Sequence, residues 1–243
     1  MTRADALIYG HTRLHQSRVT ESQAIVRKAL STQPSWYIAL SGGKDSICVL
    51  GLVREQAPGT IAQFSARDFE FPETLFYLRN IPNLRVVAYA AANDGEPWAT
   101  RWDSEQSARV VWPDLIWVDR HEEITELSEA GVFLGLRADE AGYRDIHLRR
   151  QGTLFLAEGD GKWRCNPIAW WSVLDVWAYI LCNGLTYNRA YDVMDQLGIP
   201  LIDQRIGPYA RGAAKGAISV LRLGWPQLWN EYAARHPEAR AYA

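Results

Sequence analysis

The sequence predicts an α/β fold built on a largely parallel sheet, and two patterns carry that expectation. Short apolar, β-rich runs recur along the chain with helical stretches between them, and a glycine-rich polar turn directly follows the first run. Trp36-Tyr37-Ile38-Ala39-Leu40 reads as a buried strand, followed by Ile61-Ala62-Gln63-Phe64 and by Leu84-Arg85-Val86-Val87-Ala88-Tyr89. Val132-Phe133-Leu134-Gly135-Leu136 is a fourth strand, and Lys162-Trp163-Arg164-Cys165 a shorter one, so the sheet is expected to hold about five strands. Asp45 to Gln56 and Pro72 to Asn80 read as helices, the second with proline in its first turn. Strands alternating with helices form βαβ units whose sheet is covered on both faces. Ligands on such sheets bind beyond the C-terminal strand ends, which points to the loops after Leu40, Phe64 and Leu136.

Ser172-Val173-Leu174-Asp175 has the S-x-x-D form of a capping box, opening a helix through Val176 to Leu181 that Asn183-Gly184 stops. After about residue 190 the strand pattern gives way to short helical pieces with glycine and proline. The expected organisation is a nucleotide-binding α/β domain over 1–190, with a helical lead-in, and a small, mostly helical appendage over 191–243.

Bulk properties narrow the class. A net charge of −2 gives no global pull toward nucleic acid or an anionic membrane, so any basic patch is local. The first residues lack the apolar run of a signal peptide and no later stretch is long enough for a membrane span, so a cytoplasmic protein without a membrane partner is expected. Three cysteines (Cys48, Cys165, Cys182) form no C-x-x-C pair, and five scattered histidines show no metal-ligand spacing. Neither an iron–sulfur cluster nor a structural zinc is expected. The eleven tryptophans read mainly as packing residues.

The strongest local signal is Ser41-Gly42-Gly43-Lys44-Asp45-Ser46, between the first strand and the first strand-following helix. Two glycines let the backbone turn tightly and bring N–H groups to an anion, and the helix N-terminus adds its positive dipole end. Lys44 supplies a mobile positive charge, Ser41 and Ser46 supply hydroxyls, and Asp45 can position a Mg²⁺ carried by phosphates. A polar-capped strand-to-helix turn explains the glycines but not Ser, Lys, Asp and Ser in the same six positions. The loop is not a Walker A motif, which needs glycine where Ile38 stands and Ser or Thr where Asp45 stands. The form S-G-G-x-D-S resembles the PP-loop of the ATP pyrophosphatase superfamily, whose fold is the HUP-type parallel sheet. That resemblance implies a grip on the β and γ phosphates and attack on the α phosphorus, with AMP transfer and release of pyrophosphate.

Further segments fall in order. Asp68-Phe69-Glu70-Phe71-Pro72-Glu73-Thr74 follows the second strand, and Gly135-Leu136-Arg137-Ala138-Asp139-Glu140 ends the fourth. Asn166-Pro167-Ile168, Asp175-Val176-Trp177-Ala178-Tyr179-Ile180 and Tyr187-Asn188-Arg189-Ala190-Tyr191 come after. Over residues 35–192 this series resembles the phosphoadenosine phosphosulfate (PAPS) reductase family, which includes sulfate adenylyltransferase small subunits, FAD synthetases and the ATP pyrophosphatases of DNA phosphorothioation. The resemblance implies that Arg137 reaches a phosphate or ribose with help from Arg144, and that Phe64 and Ser65 belong to the adenosine site. A salt bridge from Arg137 to Asp139 or Glu140 is the plainer alternative, and Glu73 reads best as a first-turn carboxylate.

One departure matters. PAPS reductases carry a catalytic cysteine in a Glu-Cys-Gly-type motif near the C-terminus, and no cysteine follows Cys182 in these 243 residues. Without a late thiolate there is no obvious nucleophile for a sulfonate sulfur. Cys165, before Asn166-Pro167, reads either as a sulfur relay or, more simply, as a small buried hydrophobe.

From Gln204 to Asn230 there is no acidic residue, while Arg205, Arg211 and Lys215 lie among glycines, which suits either an anion-binding loop or a solvated surface. The expected function is therefore an ATP pyrophosphatase that cleaves Mg·ATP and adenylates a substrate. Lys44, Asp45 and Arg137 would carry the reaction, and Ser41, Gly42, Gly43, Ser46 and Gly135 would complete the nucleotide site. Sulfur insertion into DNA, with a cysteine desulfurase or DNA-modification partner, is the context the resemblance implies, and a homodimer is compatible with it. The alternatives are a sulfonucleotide reductase or sulfate-adenylating subunit and, outside the enzymes, a nucleotide-sensing subunit of a complex.

Overall fold

A computed structural model of the protein describes residues 1–67, 69–89, 104–118, 129–206 and 214–242. Its elements run α1 (Arg3–Gly10), α2 (Arg13–Thr32), β1 (Trp36–Ala39), α3 (Lys44–Gln56), β2 (Ile61–Ala66), α4 (Pro72–Arg79), β3 (Leu84–Tyr89), α5 (Glu105–Val111) and β4 (Ile116–Val118). They continue with β5 (Gly131–Phe133), a 3₁₀ turn (Ala138–Glu140), α6 (Gly142–Gln151), β6 (Leu154–Leu156), β7 (Trp163–Cys165), α7 (Val173–Cys182), α8 (Ala190–Gln196), α9 (Ala214–Gly224), α10 (Pro226–Arg235) and a closing 3₁₀ segment (Pro237–Tyr242).

The strands form one sheet of order β4-β3-β2-β1-β5-β7-β6. β1 pairs in parallel with β2 (Ile38 opposite Ala62) and with β5 (Tyr37 opposite Val132), and β5 in parallel with β7. β3 pairs in parallel with β4 (Ala88 opposite Trp117), and β6 is antiparallel to β7, with Phe155 opposite Arg164. Among the described residues the sheet thus holds seven strands where about five were expected. β4 and β6 are each three residues long, too short for a periodic pattern to show. Leu154-Phe155-Leu156 nonetheless stands one Gly159-Asp160-Gly161 turn before β7, a hairpin signal.

The chain divides into two compact units, neither of them continuous in sequence. One comprises Met1–Phe64, Ile81–Arg85 and Thr125–Tyr187, and the other Ser65–Asn80, Val86–Ile124 and Asn188–Ala243. In the first, Ile38, Phe133 and Val132 of the central strands are buried together with Ile47, Cys48, Leu52 and Val53 of α3. α7 packs against α1, α2 and α3, which explains why Val176, Trp177, Ala178, Tyr179 and Ile180 are buried in succession rather than on one stripe. Each fully buried Ile or Leu among these contributes about 1.5–3 kcal/mol. In the second unit, Phe71 packs on Trp225 at 4.3 Å between ring centroids, and Trp225 Nε1 donates to Glu73 at 3.0 Å. Glu73 does lie in the first turn of α4, and it also anchors this tryptophan. Asn188 Nδ2 donates to Thr74 Oγ1 at 2.8 Å, tying the start of α8 to α4. Trp36, Trp112, Trp171, Trp177, Trp225 and Trp229 are all buried, in keeping with packing roles.

Candidate functional site

The Ser41–Ser46 loop leaves the C-terminal end of β1 and enters α3. Gly42 adopts φ +76°, the left-handed region that glycine occupies without strain, and this bends the chain back toward the helix start. Gly43 is the N-cap and makes no side-chain cap, so the dipole end of α3 is not plugged by its own N-cap residue. Hydroxyls brace the turn from inside. Ser46 Oγ donates to the Gly43 carbonyl (2.8 Å) and accepts from Ser41 N (3.2 Å), while Ser41 Oγ accepts from Gly43 N (3.3 Å). The two serines are therefore structural braces of the loop as well as polar groups at its surface.

Lys44 and Arg137 meet at Asp45. Arg137 Nε donates to Asp45 Oδ1 (2.5 Å), and Lys44 Nζ lies 3.5 Å from Asp45 Oδ2. Lys44 is 3% exposed and Arg137 4%, values seldom seen for such long cationic side chains. Arg137 Nη1 also donates to Asp139 (3.2 Å) and to the Trp171 carbonyl (3.2 Å). The salt-bridge alternative for Arg137 and its place at the loop are thus both realised. Burial alone would pull the Arg137 guanidinium toward neutrality. The Asp45, Glu140 and Asp139 carboxylates outweigh this and hold it above its ordinary value. Arg137 stays charged.

The two loops touch through Gly135. A Cβ there would stand 3.0 Å from the Asp45 carbonyl carbon and 3.0 Å from Ser46 N, both backbone atoms that cannot swing aside. Glycine at this position is what lets the end of β5 lie against the first turn of α3 and deliver Arg137, two residues later, to Asp45. Phe64 is buried on β2 beside the loop's start, where Leu40 N donates to the Gln63 carbonyl (2.8 Å). Ser65 is exposed on the same strand. Arg144, on α6, pairs with Glu140 through Nη1 rather than with Asp45. Arg205 is exposed, whereas Asp68, Arg211 and the Lys215 side chain lie outside the described residues.

Trp171 carried no sequence signal as a site residue, because it contributes through its carbonyl, which any residue possesses. Asp139 meets Arg137 in the salt bridge that the sequence offered as the plainer alternative.

A Mg²⁺ bound directly to Asp45 would have to displace cations, since one of the carboxylate's oxygens already accepts from Arg137 and the other faces Lys44. Among the described residues no group of three or more His, Cys, Asp or Glu is arranged to hold a metal. The side chains do not fit an ion caged by protein ligands. The thiols are equally constrained. Burial pushes the Cys165 thiol far up, and burial followed by the neighbouring Asp45 charge does the same for Cys48, while Cys182 is exposed at the end of α7. Cys165 and Cys48 are thus held as thiols rather than as thiolate nucleophiles. No described helix is long and apolar enough to cross a membrane.

Sheet order, loop and helix together define a PP-loop protein of the HUP-type α/β class. Residues 35–198 match the model of the phosphoadenosine phosphosulfate reductase domain, and the chain belongs to that family of nucleotide-binding proteins. Among curated proteins it is similar to the uncharacterized protein YbdN of Escherichia coli, with 24% identity over 85% of this chain and 62% of that protein. It is also similar to a probable phosphoadenosine phosphosulfate reductase of Schizosaccharomyces pombe, with 27% identity over 69% of this chain and 64% of that one. The chain therefore spans somewhat less than two thirds of these relatives' own length. Among solved structures, the PAPS reductase of Candida auris in its phosphate complex shares the fold, with a TM-score of 0.52 and 21% identity, covering 78% of this chain and 88% of that one.

Proposed function

We propose that this protein binds ATP at the Ser41–Ser46 loop and cleaves it between the α and β phosphates. The observation that carries the reading is the pair of buried cations, Lys44 and Arg137, brought to one point at the first turn of α3. In the free protein both cations are paired with Asp45, and a triphosphate at a helix N-terminus supplies the opposite charge for which they can exchange that carboxylate. In the reaction an acceptor oxygen forms a bond to the α phosphorus. The bridging P–O bond to the β phosphate breaks, and pyrophosphate leaves with the bonding electron pair. Lys44 and Arg137 offset the charge that grows on the leaving group, while Gly135 fixes the distance between the two loops. With water as acceptor the products are AMP and pyrophosphate; with another acceptor, an adenylate. Any Mg²⁺ would arrive on the phosphates. Modification of the acceptor with sulfur, in DNA or elsewhere, is the context proposed from the family. The basic run with Arg205, Arg211 and Lys215 is proposed as a contact for a second anion.

A sulfonucleotide reductase is the second reading, favoured by the S. pombe relative's name and by the family itself. The status of Cys48 and Cys165 weighs against it, because neither is placed to act as a thiolate. Incubation of the pure protein with Mg·ATP, followed by product identification, separates the readings. AMP plus pyrophosphate is expected. ADP plus phosphate would refute α–β cleavage, and binding without turnover would favour a sensing role. Sulfite released from PAPS in the presence of thioredoxin would establish the reductase instead.

A further inference from the structure

Arg137 is seated on a segment far away in sequence. Its Nη1 donates to the Trp171 carbonyl, and the next backbone N–H, from Ala138, donates to the Ala169 carbonyl at 2.8 Å. Those carbonyls belong to a pair of tight turns, in which Ala169 N donates to Asn166 O (3.2 Å) and Trp171 N to Ile168 O (3.0 Å). Ser172, the N-cap of α7, follows at once.

Asp175 holds that N-cap. Its side chain accepts from Ser172 N (2.8 Å) and Ser172 Oγ (2.6 Å), and its own N donates to Ser172 Oγ (3.3 Å), which completes the capping box. A cap needs no more than this, yet Asp175 gathers three further partners from the N-terminal helices. These are Tyr9 Oη (2.9 Å), His15 Nδ1 (3.3 Å) and Arg18 Nη1. His15 and Arg18 lie three residues apart on α2, and Ser22, four further on the same face, donates to the Pro167 carbonyl at 2.7 Å. The Trp171 ring is wedged between His15 and Tyr179, with centroids 6.1 and 5.4 Å away. The 166–172 segment is thus held from α2 at Pro167 and Trp171 and at Ser172 through Asp175, which Tyr9 of α1 also meets, and it presents the carbonyls on which Arg137 and its neighbour rest.

We propose that Asp175, gripped by Tyr9, His15 and Arg18, is a positioning residue for Arg137, so that the N-terminal helices set the affinity of the nucleotide site without touching nucleotide. This rests on the reading that Arg137 holds a phosphate. The grip fixes the Trp171 carbonyl, the carbonyl directs one arm of the guanidinium, and the remaining arms stay aimed at Asp45 and whatever anion enters beside it.

The test is a double-variant cycle on the full chain, reading ATP affinity by titration calorimetry at a temperature where circular dichroism shows every variant folded. Arg137→Ala and Asp175→Asn are each expected to weaken binding about tenfold, the scale of one charge-assisted hydrogen bond. The double variant should bind within twofold of Arg137→Ala alone, because a residue that acts through Arg137 has nothing left to act on. Losses that multiply, or wild-type affinity in Asp175→Asn, would overturn the proposal. Wild-type affinity in Arg137→Ala would instead remove the phosphate reading and this inference with it, and that single variant tells the two failures apart. Should Asp175→Asn not fold, Tyr9→Phe and Arg18→Met each run the same cycle, with an expected loss of about threefold from one weakened partner.

Discussion

Asp45 and Asp175 sit in matching places, each in the first turn of a largely buried helix, and their surroundings are opposite. Asp45 has two cationic neighbours and keeps a 16% exposed side chain at the loop, whereas Asp175 has four neighbouring side chains in Ser172, Tyr9, His15 and Arg18 and no exposure at all. Both carboxylates favour the helix dipole. One is left open to exchange partners with an incoming anion, and the other is closed. On the proposed reading, the difference separates a residue that takes part in binding from one that holds the binding parts still, although the sequence writes both as aspartate near a helix start.

Asp175→Ala is expected to have the largest effect. It removes the common acceptor of the half-buried Arg18 and Tyr9 and of the buried His15, and leaving such groups unsatisfied costs about 1–3 kcal/mol. Urea unfolding reads the loss; a change below 1 kcal/mol would mean that water replaces the carboxylate at little cost. Lys44→Ala should do the reverse. Its ATP turnover is expected to fall by roughly 10²-fold, as when a transition-state charge contact is removed, with the unfolding midpoint nearly unmoved. Turnover within twofold of the parent would take the loop out of the mechanism.

The pH dependence of stability sharpens the same contrast. Burial alone would raise the Asp175 carboxyl, but hydrogen bonds from His15, Ser172 and Tyr9 hold it well below the usual range. Its folded value is depressed, so its contribution is fully present above the unfolded carboxylate value of about 3.9 and is lost as pH falls toward the folded one. The stability gap between the parent and Asp175→Asn should therefore stay level from pH 6 to about pH 5 and narrow progressively below about pH 4. A gap independent of pH would show that the side chain acts by shape rather than charge. Tyr9 responds from the alkaline side, where burial and the adjacent Asp175 push its phenol up to about 12.

Gly135→Ala tests the contact between loops. The added methyl meets backbone at 3.0 Å, and overpacking of this kind costs about 1–3 kcal/mol. A rise of several-fold in KM for ATP is expected; an unchanged KM would mean the strand end yields freely. Cys165→Ala should have the smallest effect, with ATP turnover within twofold of the parent, and a larger fall would restore the sulfur-relay reading.

The strand-loop-helix turn at Ser41–Ser46 was legible in the sequence because its residue types fall within six consecutive positions, whereas Arg137 was singled out through the family resemblance, and its meeting with Asp45, 92 residues away, is visible only in the fold. The capping box at Ser172 and Asp175 was equally readable, being local. What could not be read was the second role of Asp175, since Tyr9 and His15 lie 166 and 160 residues away and carry no motif. The Trp171 carbonyl is silent for a different reason, as main-chain atoms leave no trace in residue identity. β4 escaped because three residues between loops cannot display a period, although Leu115-Ile116-Trp117-Val118 after Pro113-Asp114 is an apolar run that length alone disqualified.

The family match begins at residue 35, after α2 has ended, yet three of the side chains that meet Asp175 lie before it. The border drawn by kinship and the border drawn by folding are therefore different lines. A protein trimmed to the matched segment would keep every residue of the phosphate loop and still expose the face of α7 that α1 covers, with a bare carboxylate at its edge. Such a fragment should be recovered as aggregate, and adding residues 1–34 back as a separate peptide is the natural way to rescue it. Domain swaps within this family would do best to carry the first two helices along with the helix they serve.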